Sequence, residues 1–434
     1  MQLYSTQDKS LRVTMREAVL QGMPATGGLY MPVEIPQMPE EFFTSLPKRS
    51  LSEIALNVAR KFFADEIPAD ALKSIVSEAI NFDAPVVPIR ENIHTLELFH
   101  GPTLAFKDFG ARFMARVMAY FTREQDEELT ILVATSGDTG SAVANGFLGV
   151  EGIRVIILYP KNKVSEIQEK QFTTLKQNIT ALEIDGAFDD CQRLVKSAFT
   201  NSHLNEQMRL SSANSINIAR LIPQTFYYFH AFGQIRQQTD APVIISVPSG
   251  NYGNLTAGLI AKKMGLPVKR FIAASNANDV VPEYLHTGEF VPRPSVETIS
   301  NAMDVGDPSN FQRMLELYDH DIAKIHNGIV GMSYDDETTR QAMTEVYSST
   351  GYLMDPHGSV GFLALRDYLK NENNSIGIFL ETAHPAKFLE TVQPLVDKDI
   401  TIPDRLQRAL KREKKSIPLS NEFEEFREFL LDLK

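Results

Sequence analysis

The alternation of short apolar runs with helical patterns constrains the fold of this chain more than any other feature of its sequence. From about residue 129 onward, continuous apolar runs of strand length occupy residues 130–135, 154–159, 179–184, 243–247, 270–274 and 376–380. Helical segments lie between several of these runs, over residues 165–175, 188–199 and about 216–232. Buried strands that alternate with helices are typical of parallel sheets covered on both faces. The pattern therefore predicts an α/β protein.

The length of the chain predicts more than one structural unit. At 434 residues it exceeds what one hydrophobic core usually organises. Before about residue 90, apolar residues recur at three- and four-residue spacing, as in residues 51–63, which indicates helices. We therefore predict a mainly helical amino-terminal extension over 1–90, a smaller α/β domain over 91–215 and a larger α/β domain over 216–434. Each α/β domain is expected to contain a parallel sheet.

The composition excludes several classes of partner. The formal net charge of −12 would repel a phosphate backbone, so we expect no nucleic-acid partner. The amino terminus contains no apolar run typical of a secretory signal, and no apolar stretch approaches the length of a membrane span. The single cysteine, Cys191, excludes an intramolecular disulfide and fits a reducing compartment. We therefore expect a cytoplasmic protein without a membrane partner, and no metal site.

A lysine at the expected start of a helix is a candidate nucleophile. Residues 100–110 lead into a segment in which Phe109, Phe113 and Val117 fall on one face, so Lys107 would open that helix beside apolar neighbours. Desolvation and the positive end of a helix dipole both lower the pKa of a lysine. A neutral amine can attack an aldehyde and form a Schiff base. Taken alone, an exposed lysine in a first helical turn is the more common interpretation.

A glycine-bearing loop after the apolar run at 243–247 is a candidate anion site. A strand, a loop with two glycines and a helix amino terminus bring several N–H groups together, and the helix dipole adds positive charge. The loop consists of Ser249, Gly250, Asn251, Tyr252, Gly253 and Asn254. It matches neither the nucleoside-triphosphate loop nor the dinucleotide fingerprint. A tight turn between a strand and a helix is the alternative interpretation.

A second loop repeats this arrangement after the apolar run at 130–135. It offers hydroxyl groups, glycine N–H groups and one carboxylate, from Thr135, Ser136, Gly137, Asp138 and Thr139. Small hydroxyl-rich loops at a helix start suit a substrate carboxylate, because the dipole favours negative charge there. An ordinary capped helix start, with Thr139 or Asp138 as the cap, is the alternative.

A third polar cluster comprises Ser212, Asn214, Asn217 and Arg220. Asn217 and Arg220 are three positions apart and would point to the same side of a helix. An arginine surrounded by amide and hydroxyl donors can hold a phosphate dianion. A solvated helix face explains Arg220 nearly as well in isolation.

Together these segments resemble a known family. The lysine segment, the two loops and the third cluster occur in order with Gly-Gly-Leu-Tyr-Met-Pro at 27–32 and Glu-Thr-Ala-His-Pro-Ala-Lys-Phe at 381–388. In this order they resemble the threonine synthases, in the short form of bacteria and fungi. Those enzymes belong to the fold type II pyridoxal-phosphate enzymes, whose fold is like that of the tryptophan synthase beta chain. The matches extend from residue 27 to residue 388, which is most of the chain.

The resemblance implies roles for these residues. Lys107 would hold pyridoxal 5'-phosphate covalently and later move protons. The loop at 249–254 would bind the cofactor phosphate, and Thr382 would form a hydrogen bond with the pyridine nitrogen. The loop at 135–139 would receive the substrate carboxylate. The cluster of Ser212, Asn214, Asn217 and Arg220 would lie toward the substrate phosphate.

The implied reaction converts O-phospho-L-homoserine and water into L-threonine and phosphate. Two alternatives stay open at this point. One is another lyase on the same scaffold, such as a threonine or serine dehydratase or a phospholyase. The other is a ligand-binding protein that keeps the fold without catalysis, against which the presence of Lys107 argues.

Overall fold

The computed structural model describes residues 1–125 and 127–433. Its strands, in chain order, are β1 (Gln2–Ser5), β2 (Asp8–Thr14), β3 (Tyr30–Pro32), β4 (Val86–Arg90), β5 (Ile93–Glu97), β6 (Leu129–Ala134), β7 (Ile153–Pro160), β8 (Ile179–Asp185), β9 (Arg209–Ser212), β10 (Val243–Pro248), β11 (Val268–Ser275), β12 (Ile329–Ser333), β13 (Ile376–Glu381) and β14 (Ile417–Ser420). The predicted runs from 130–135 to 376–380 coincide with β6, β7, β8, β10, β11 and β13. The α/β class is confirmed.

The helices precede, separate and follow these strands. In chain order they are α1 (Met15–Gln21), α2 (Glu40–Ser45), α3 (Leu51–Phe63), α4 (Ala69–Ala79), α5 (Lys107–Thr122), α6 (Asp138–Phe147), α7 (Glu166–Thr173), α8 (Phe188–Thr200), α9 (Ser202–Gln207), α10 (Ile218–Leu221), α11 (Thr225–Ile235), α12 (Gly253–Lys263), α13 (Val280–Thr287), α14 (Phe311–Leu317), α15 (Ile322–Gly328), α16 (Asp336–Thr350), α17 (Pro356–Leu369), α18 (Leu389–Val392), α19 (Asp404–Leu410) and α20 (Phe423–Asp432). Within residues 1–125 and 127–433, no helix is both long enough and apolar enough to cross a membrane.

One compact unit comprises residues 31–106 and 221–401, together with Met1. Its sheet has six strands in the order β12-β11-β10-β13-β5-β4. All neighbouring pairs are parallel except β4 and β5. Every residue of β10 is buried, which fits a central strand covered on both faces. Helix α17 packs against β13, β10 and β11, where Phe362 contributes to a core that includes Ile244 and Phe379.

The other compact unit comprises residues 2–30, 107–220 and the chain from residue 402 onward. Its five-stranded parallel sheet has the order β14-β8-β7-β6-β9. Cys191 lies in the apolar core beside this sheet, with Leu132 and Leu182 in the same cluster. Burial raises the pKa of its thiol to about 12, so the thiol stays protonated near neutral pH.

Both units are discontinuous along the sequence, unlike the contiguous ranges 1–90, 91–215 and 216–434 expected above. The hydrogen bonds of the strands explain the difference. Strand β5 pairs with β13 and β4 and so completes the six-stranded sheet, whereas β14 pairs with β8 and brings the carboxyl-terminal segment to the five-stranded sheet. A strand belongs to the sheet that its backbone completes, and hydropathy along the chain does not indicate that partner.

Two local elements also differ from the expectation. The first fourteen residues contain the antiparallel pair β1 and β2 rather than helix, and the alternating, mostly exposed residues of β2 explain why no apolar run marks it. The helix expected over about 216–232 is divided into α10, a 3₁₀ turn at Ile222–Gln224 and α11. Pro223 lies at this division and accounts for it, because a proline cannot donate the hydrogen bond that would continue the helix.

Candidate functional site

The loop between β10 and α12 is held in shape by its own side chains. The Nδ2 of Asn254 donates to the carbonyl of Pro248 at 2.8 Å, and the hydroxyl of Ser249 donates to the Oδ1 of Asn254 at 3.1 Å. The Oδ1 of Asn251 accepts from the backbone N–H of Ser309 at 2.6 Å. The polar side chains of this loop therefore serve its conformation.

The backbone of the same loop provides the donors that an anion requires. Tyr252 adopts a left-handed conformation with φ of 58°, and the eleven-residue helix α12 begins at the next residue, Gly253. In the part of the chain that the structure describes, the amides of Gly253 and Asn254 donate to no protein acceptor. The helix dipole adds partial positive charge at this end. These residues fit the phosphate group of pyridoxal phosphate.

Gly250 is required by a close approach of two backbone segments. A Cβ atom added there would lie 2.6 Å from the Cα of Met303, which is closer than real Cβ atoms come. Relief would require the backbone to shift, because the clashing atom belongs to the main chain. The loop keeps its path only with glycine at this position.

Thr382 follows the last residue of β13 and presents a polar group that other side chains do not use. It is 6% exposed, and among the described residues its hydroxyl has no hydrogen-bond partner. Its carbonyl accepts from the N–H of Phe106 at 2.8 Å, and Ala105 and Ala383 form an antiparallel bridge beside it. Buried hydroxyls normally find a partner, so this one fits a ligand such as a ring nitrogen.

Lys107 begins helix α5, as the sequence predicts. It is half-buried, and it directly follows Phe106, the residue whose amide donates to Thr382. Covalent geometry keeps consecutive Cα atoms about 3.8 Å apart. The apolar face of the helix, including Phe109 and Phe113, is buried as expected.

The loop between β6 and α6 is organised differently. The Oγ1 of Thr135 accepts from the amide of Gly137 at 2.9 Å and from that of Gly140 at 2.8 Å. The loop thus turns around a buried hydroxyl, which uses two of the amides that could otherwise meet a ligand. Thr135 shapes the loop from inside.

The remaining side chains of this second loop divide into two kinds. Asp138 is buried, and its Oδ1 accepts from the Nε2 of Gln168 at 2.8 Å. Gly137 has a φ of 138°, and a Cβ there would lie 2.6 Å from the Gln168 side chain. Ser136 and Thr139 are half-buried. These two hydroxyls are therefore the more accessible of the predicted carboxylate ligands.

Within the third cluster, the asparagines form hydrogen bonds mainly with the protein backbone. The side-chain Nδ2 of Asn214 donates to the carbonyl of Ala134 at 2.8 Å, and the backbone N–H of Asn214 donates to the hydroxyl of Ser212 at 3.2 Å. Asn217 is fully buried, and its Nδ2 donates to the carbonyl of Val19 at 2.9 Å. Both amide groups therefore connect separate segments of the chain.

Arg220 is buried beneath the start of α5. It is 3% exposed, its Nη1 donates to the carbonyl of Ala213, and a Cβ at Gly110 would lie 2.8 Å from its Nε. Burial lowers its pKa to about 10, and the negative charge of Asp108 opposes that shift. Sequence reasoning missed Asp108 and Gly110, although an acid directly after the lysine and a glycine three positions after it were available as a signal.

Sequence reasoning also missed a buried polar cluster next to Thr382. Asp355, His357 and Glu381 are all buried, and the carboxylate of Asp355 accepts from the N–H of Ala383 at 3.3 Å. Acids are rarely fully buried unless they are paired. The signal that could have found them is Glu381 at the end of an apolar strand and Asp355 before an apolar helix.

Comparison with known families covers almost the whole chain. Residues 90–378 match the model of pyridoxal-phosphate dependent enzymes. Residues 2–80 match the model of the threonine synthase amino terminus, and residues 358–430 match that of the threonine synthase carboxyl terminus. These matches include each of the loops and polar clusters described above.

Individual relatives agree with these models. The chain is 44% identical to threonine synthase of Serratia marcescens over 433 residues, covering 100% of both chains, and 46% identical to that of Escherichia coli strain K12 over 406 residues, covering 94% of both. The crystal structure of threonine synthase from Escherichia coli matches with a TM-score of 0.94 and full coverage of both chains at 44% identity. The structure of pyridoxal-phosphate-bound threonine synthase from Brucella melitensis matches with a TM-score of 0.92 at 35% identity, covering 99% of this chain and 98% of that one. The chain therefore belongs to the threonine synthase family of pyridoxal-phosphate-dependent enzymes.

Proposed function

We propose that this chain converts O-phospho-L-homoserine and water into L-threonine and phosphate. The observation that carries the proposal is the hydrogen bond from the amide of Phe106 to the carbonyl of Thr382 at 2.8 Å. It ties the residue before Lys107 to the residue whose hydroxyl would meet the pyridine nitrogen. Full-length similarity to threonine synthases supports the same reaction.

Three parts of the chain would hold pyridoxal phosphate. The amides at the start of α12, with the loop Ser249, Gly250, Asn251, Tyr252, Gly253 and Asn254, would bind its phosphate. Thr382 would form a hydrogen bond with its ring nitrogen, and Lys107 would bind it covalently. When bound, the cofactor would supply an electron sink that acidifies the substrate carbon next to the amino nitrogen and, in turn, the carbon beyond it.

Lys107 would also move protons during the reaction. Its amine can accept a proton from one carbon of the substrate and return a proton to another, provided that it is neutral when it acts as a base. The amino terminus of α5 disfavours added positive charge, which supports the neutral form. Because one amine can exchange protons with both carbon atoms of the substrate, one lysine is sufficient for these steps.

The substrate carboxylate would bind at the second loop. Ser136 and Thr139 are the accessible hydroxyls, and the helix dipole of α6 favours a negative group there. Thr135, Gly137 and Asp138 would act by holding the loop in shape. This division of roles follows from the hydrogen bonds described above.

The cluster of Ser212, Asn214, Asn217 and Arg220 would lie toward the substrate phosphate. Most of the polar contacts of Asn214 and Asn217 are to backbone groups, so these two would support the cluster. Arg220 brings positive charge, which suits a dianion. It also packs on Gly110 of α5, so it would support the helix that carries Lys107.

The product distinguishes this function from its alternatives. The purified enzyme, loaded with pyridoxal phosphate and given phosphohomoserine, should release threonine and phosphate in equal amounts. A dehydratase or phospholyase on the same scaffold would instead yield 2-oxobutanoate. Lys107→Ala should abolish turnover and the absorbance band of the covalently bound cofactor. Wild-type protein that binds the cofactor without any turnover would support a ligand-binding protein and contradict the proposal.

The proposal includes a cytoplasmic location. Cys191 is buried and its pKa is raised to about 12 by burial, so the thiol is inert, as suits a reducing compartment. Fractionation of cells followed by immunoblotting tests this. Recovery in the membrane or secreted fraction would contradict it.

A further inference from the structure

A buried polar cluster lies behind the strand end that carries Thr382. Asp355 is the amino-terminal cap of α17, and Glu381 is the last residue of β13; both are fully buried, and His357 is 3% exposed. Burying ionisable groups costs free energy unless they are paired and hydrogen-bonded. Since no residue of this cluster has a role in the steps above, its position calls for a physical explanation.

Asp355 connects the helix cap to the backbone next to Thr382. Its Oδ1 accepts from the backbone N–H of His357 at 2.7 Å and from the ring Nδ1 of His357 at 2.6 Å. Its Oδ2 accepts from the N–H of Ala383 at 3.3 Å. That N–H belongs to the peptide group directly after Thr382. One carboxylate thus bridges α17 and the segment that follows β13.

His357 fixes the orientation of this carboxylate. Its Nε2 accepts from the backbone N–H of Ala302 at 3.2 Å, so Nε2 must carry a lone pair. The ring proton therefore belongs to Nδ1, which donates it to Asp355. With both nitrogens engaged, the imidazole cannot rotate without losing a buried hydrogen bond.

Glu381 completes the cluster as a second buried acid. Burial, together with the neighbouring carboxylate of Asp355, raises the pKa of Glu381 well above its usual value. Its Oε2 accepts from the backbone N–H of Asp355 at 3.1 Å. A Cβ at Gly358 would lie 2.0 Å from its Oε1, so the helix passes as close as the backbone allows. The shift favours the protonated form of Glu381, whereas the charge of His357 and its hydrogen bonds lower the pKa of Asp355 against the effect of burial.

Thr382 is consequently held from both sides. Its carbonyl accepts from Phe106 at 2.8 Å, and the following amide donates to Asp355 at 3.3 Å. These two contacts hold the C=O and the N–H of the single peptide group after Thr382. The peptide group before Thr382 is held as well, because the carbonyl of Glu381 accepts from the N–H of Leu98 at 3.0 Å, so the position of the Thr382 side chain between the two groups is restricted. A hydroxyl restricted in this way loses little entropy when a ligand binds.

We propose that Asp355, oriented by His357 and supported by Glu381, is a positioning residue that fixes Thr382 against the ring nitrogen of pyridoxal phosphate. The inference rests on the proposed role of Thr382 in cofactor binding. It assigns to the cluster a function beyond capping α17. It predicts that loss of the carboxylate weakens cofactor binding even where Thr382 is unchanged.

The test compares two aspartate caps in the same unit. Asp355→Asn removes the negative charge and leaves a good helix cap, since asparagine caps as well as aspartate. Asp335→Asn is the matched control, because Asp335 caps α16 through the N–H of Thr338 at 2.8 Å and is exposed. Cofactor affinity is measured by fluorescence titration of each apoenzyme with pyridoxal phosphate.

The expected result is a rise of about tenfold in the cofactor dissociation constant for Asp355→Asn, corresponding to about 1.4 kcal/mol. Asp335→Asn should leave that constant unchanged. Combining Asp355→Asn with Thr382→Val should weaken binding little more than Thr382→Val alone, because both act through one hydroxyl. Additive losses in this cycle, or an unchanged dissociation constant in Asp355→Asn, would overturn the proposal.

If Asp355→Asn does not fold, a second variant tests the positioning role of Asp355. His357→Gln keeps the carboxylate and removes the ring that orients it, so the dissociation constant should rise about threefold. An unchanged constant in that variant contradicts the positioning role. Because these readouts concern cofactor binding, they separate this inference from the proposed reaction. Absence of threonine formation with normal cofactor binding would contradict the reaction alone.

Discussion

The two glycine-bearing loops have the same arrangement in the sequence and different arrangements in space. Each follows a buried parallel strand and opens a helix. In the loop after β10, Ser249 and Asn254 bond to each other and to flanking carbonyls, and the amides at the helix start have no protein acceptor among the described residues. In the loop after β6, the hydroxyl oxygen of Thr135 accepts hydrogen bonds from two backbone N–H groups, which are then not available to a ligand.

This difference indicates two kinds of anion site. The loop after β10 presents backbone donors, which suit a phosphate with several oxygens and no preferred side-chain partner. In the loop after β6, two backbone N–H groups already donate within the loop, and side-chain hydroxyls stay accessible at its edge. Such hydroxyls suit a planar carboxylate. We therefore expect changes in the first loop to affect the cofactor and changes in the second to affect the substrate.

The largest effect should follow from Gly250→Ala. The added Cβ would lie 2.6 Å from the backbone of Met303, so the loop must move away from its amide arrangement. The dissociation constant of pyridoxal phosphate should rise at least about 100-fold, equivalent to about 2.7 kcal/mol. Titration of the apoenzyme measures it.

The control for this prediction is Gly258→Ala in the middle of α12. Its Cβ would lie 2.7 Å from the ring of Phe271, so it also strains the core, but away from the first helical turn. Thermal unfolding should report similar destabilisation for both variants. If Gly258→Ala weakened cofactor binding as much as Gly250→Ala, the effect would be one of general stability.

Thr135→Val should produce the next largest effect, and it should fall on the substrate. The isosteric side chain leaves the amides of Gly137 and Gly140 without their acceptor, which costs about 1–3 kcal/mol for buried groups. We expect KM for phosphohomoserine to rise about tenfold or more, with cofactor affinity unchanged. Steady-state kinetics and cofactor titration measure the two quantities.

Thr130→Val provides the comparison for Thr135→Val, because it makes the same change within β6, away from the loop. Its KM should equal that of the wild type. Weakened cofactor binding in Thr135→Val would contradict the division between the two loops.

A smaller effect is expected for Ser249→Ala. The variant loses the hydroxyl that donates to Asn254 and to Val247, a net contribution of about 0.5–1.5 kcal/mol. The cofactor dissociation constant should rise about three- to tenfold, with KM little changed. Ser246→Ala, which removes a hydrogen bond of 2.7 Å from β10 to the carbonyl of Gly361 in α17, should leave cofactor affinity intact. Equal losses in both variants would assign the effect to β10 rather than to the loop.

The sequence predicts the local elements around both loops and not their tertiary partners. The apolar runs at 243–247 and 376–380 become β10 and β13, and Lys107 begins its helix as expected. Strands β9 and β14 have four residues each and no continuous apolar run, so hydropathy did not reveal them. Their pairing depends on contacts that are distant in sequence.

The same limit applies to the candidate site. A sequence shows which residues carry donors, but the partners that satisfy those donors come from elsewhere in the fold. The sequence predicts that Asn217 lies toward the substrate phosphate, but it does not reveal that its Nδ2 donates to the carbonyl of Val19, about two hundred positions away in the chain. Asp355 belongs to no recognisable motif in the sequence, and its contact with the N–H of Ala383 exists only in the folded chain. Hydrogen-bond saturation is a property of the folded chain.

The smallest predicted effect is that of Asp138→Asn, which replaces the acid in the second loop by an amide. If Asp138 shapes the loop through its contact with Gln168 at 2.8 Å, an amide of the same size should serve nearly as well, because its oxygen can accept the same N–H. Asp138→Asn should therefore change KM for phosphohomoserine by no more than about threefold, whereas Asp138→Ala should raise it about tenfold by leaving Gln168 without an acceptor. Steady-state kinetics of the pair separates shape from charge. If Asp138→Asn were as impaired as Asp138→Ala, the negative charge itself would be needed, and the second loop could no longer be described as a carboxylate site built from hydroxyls and amides.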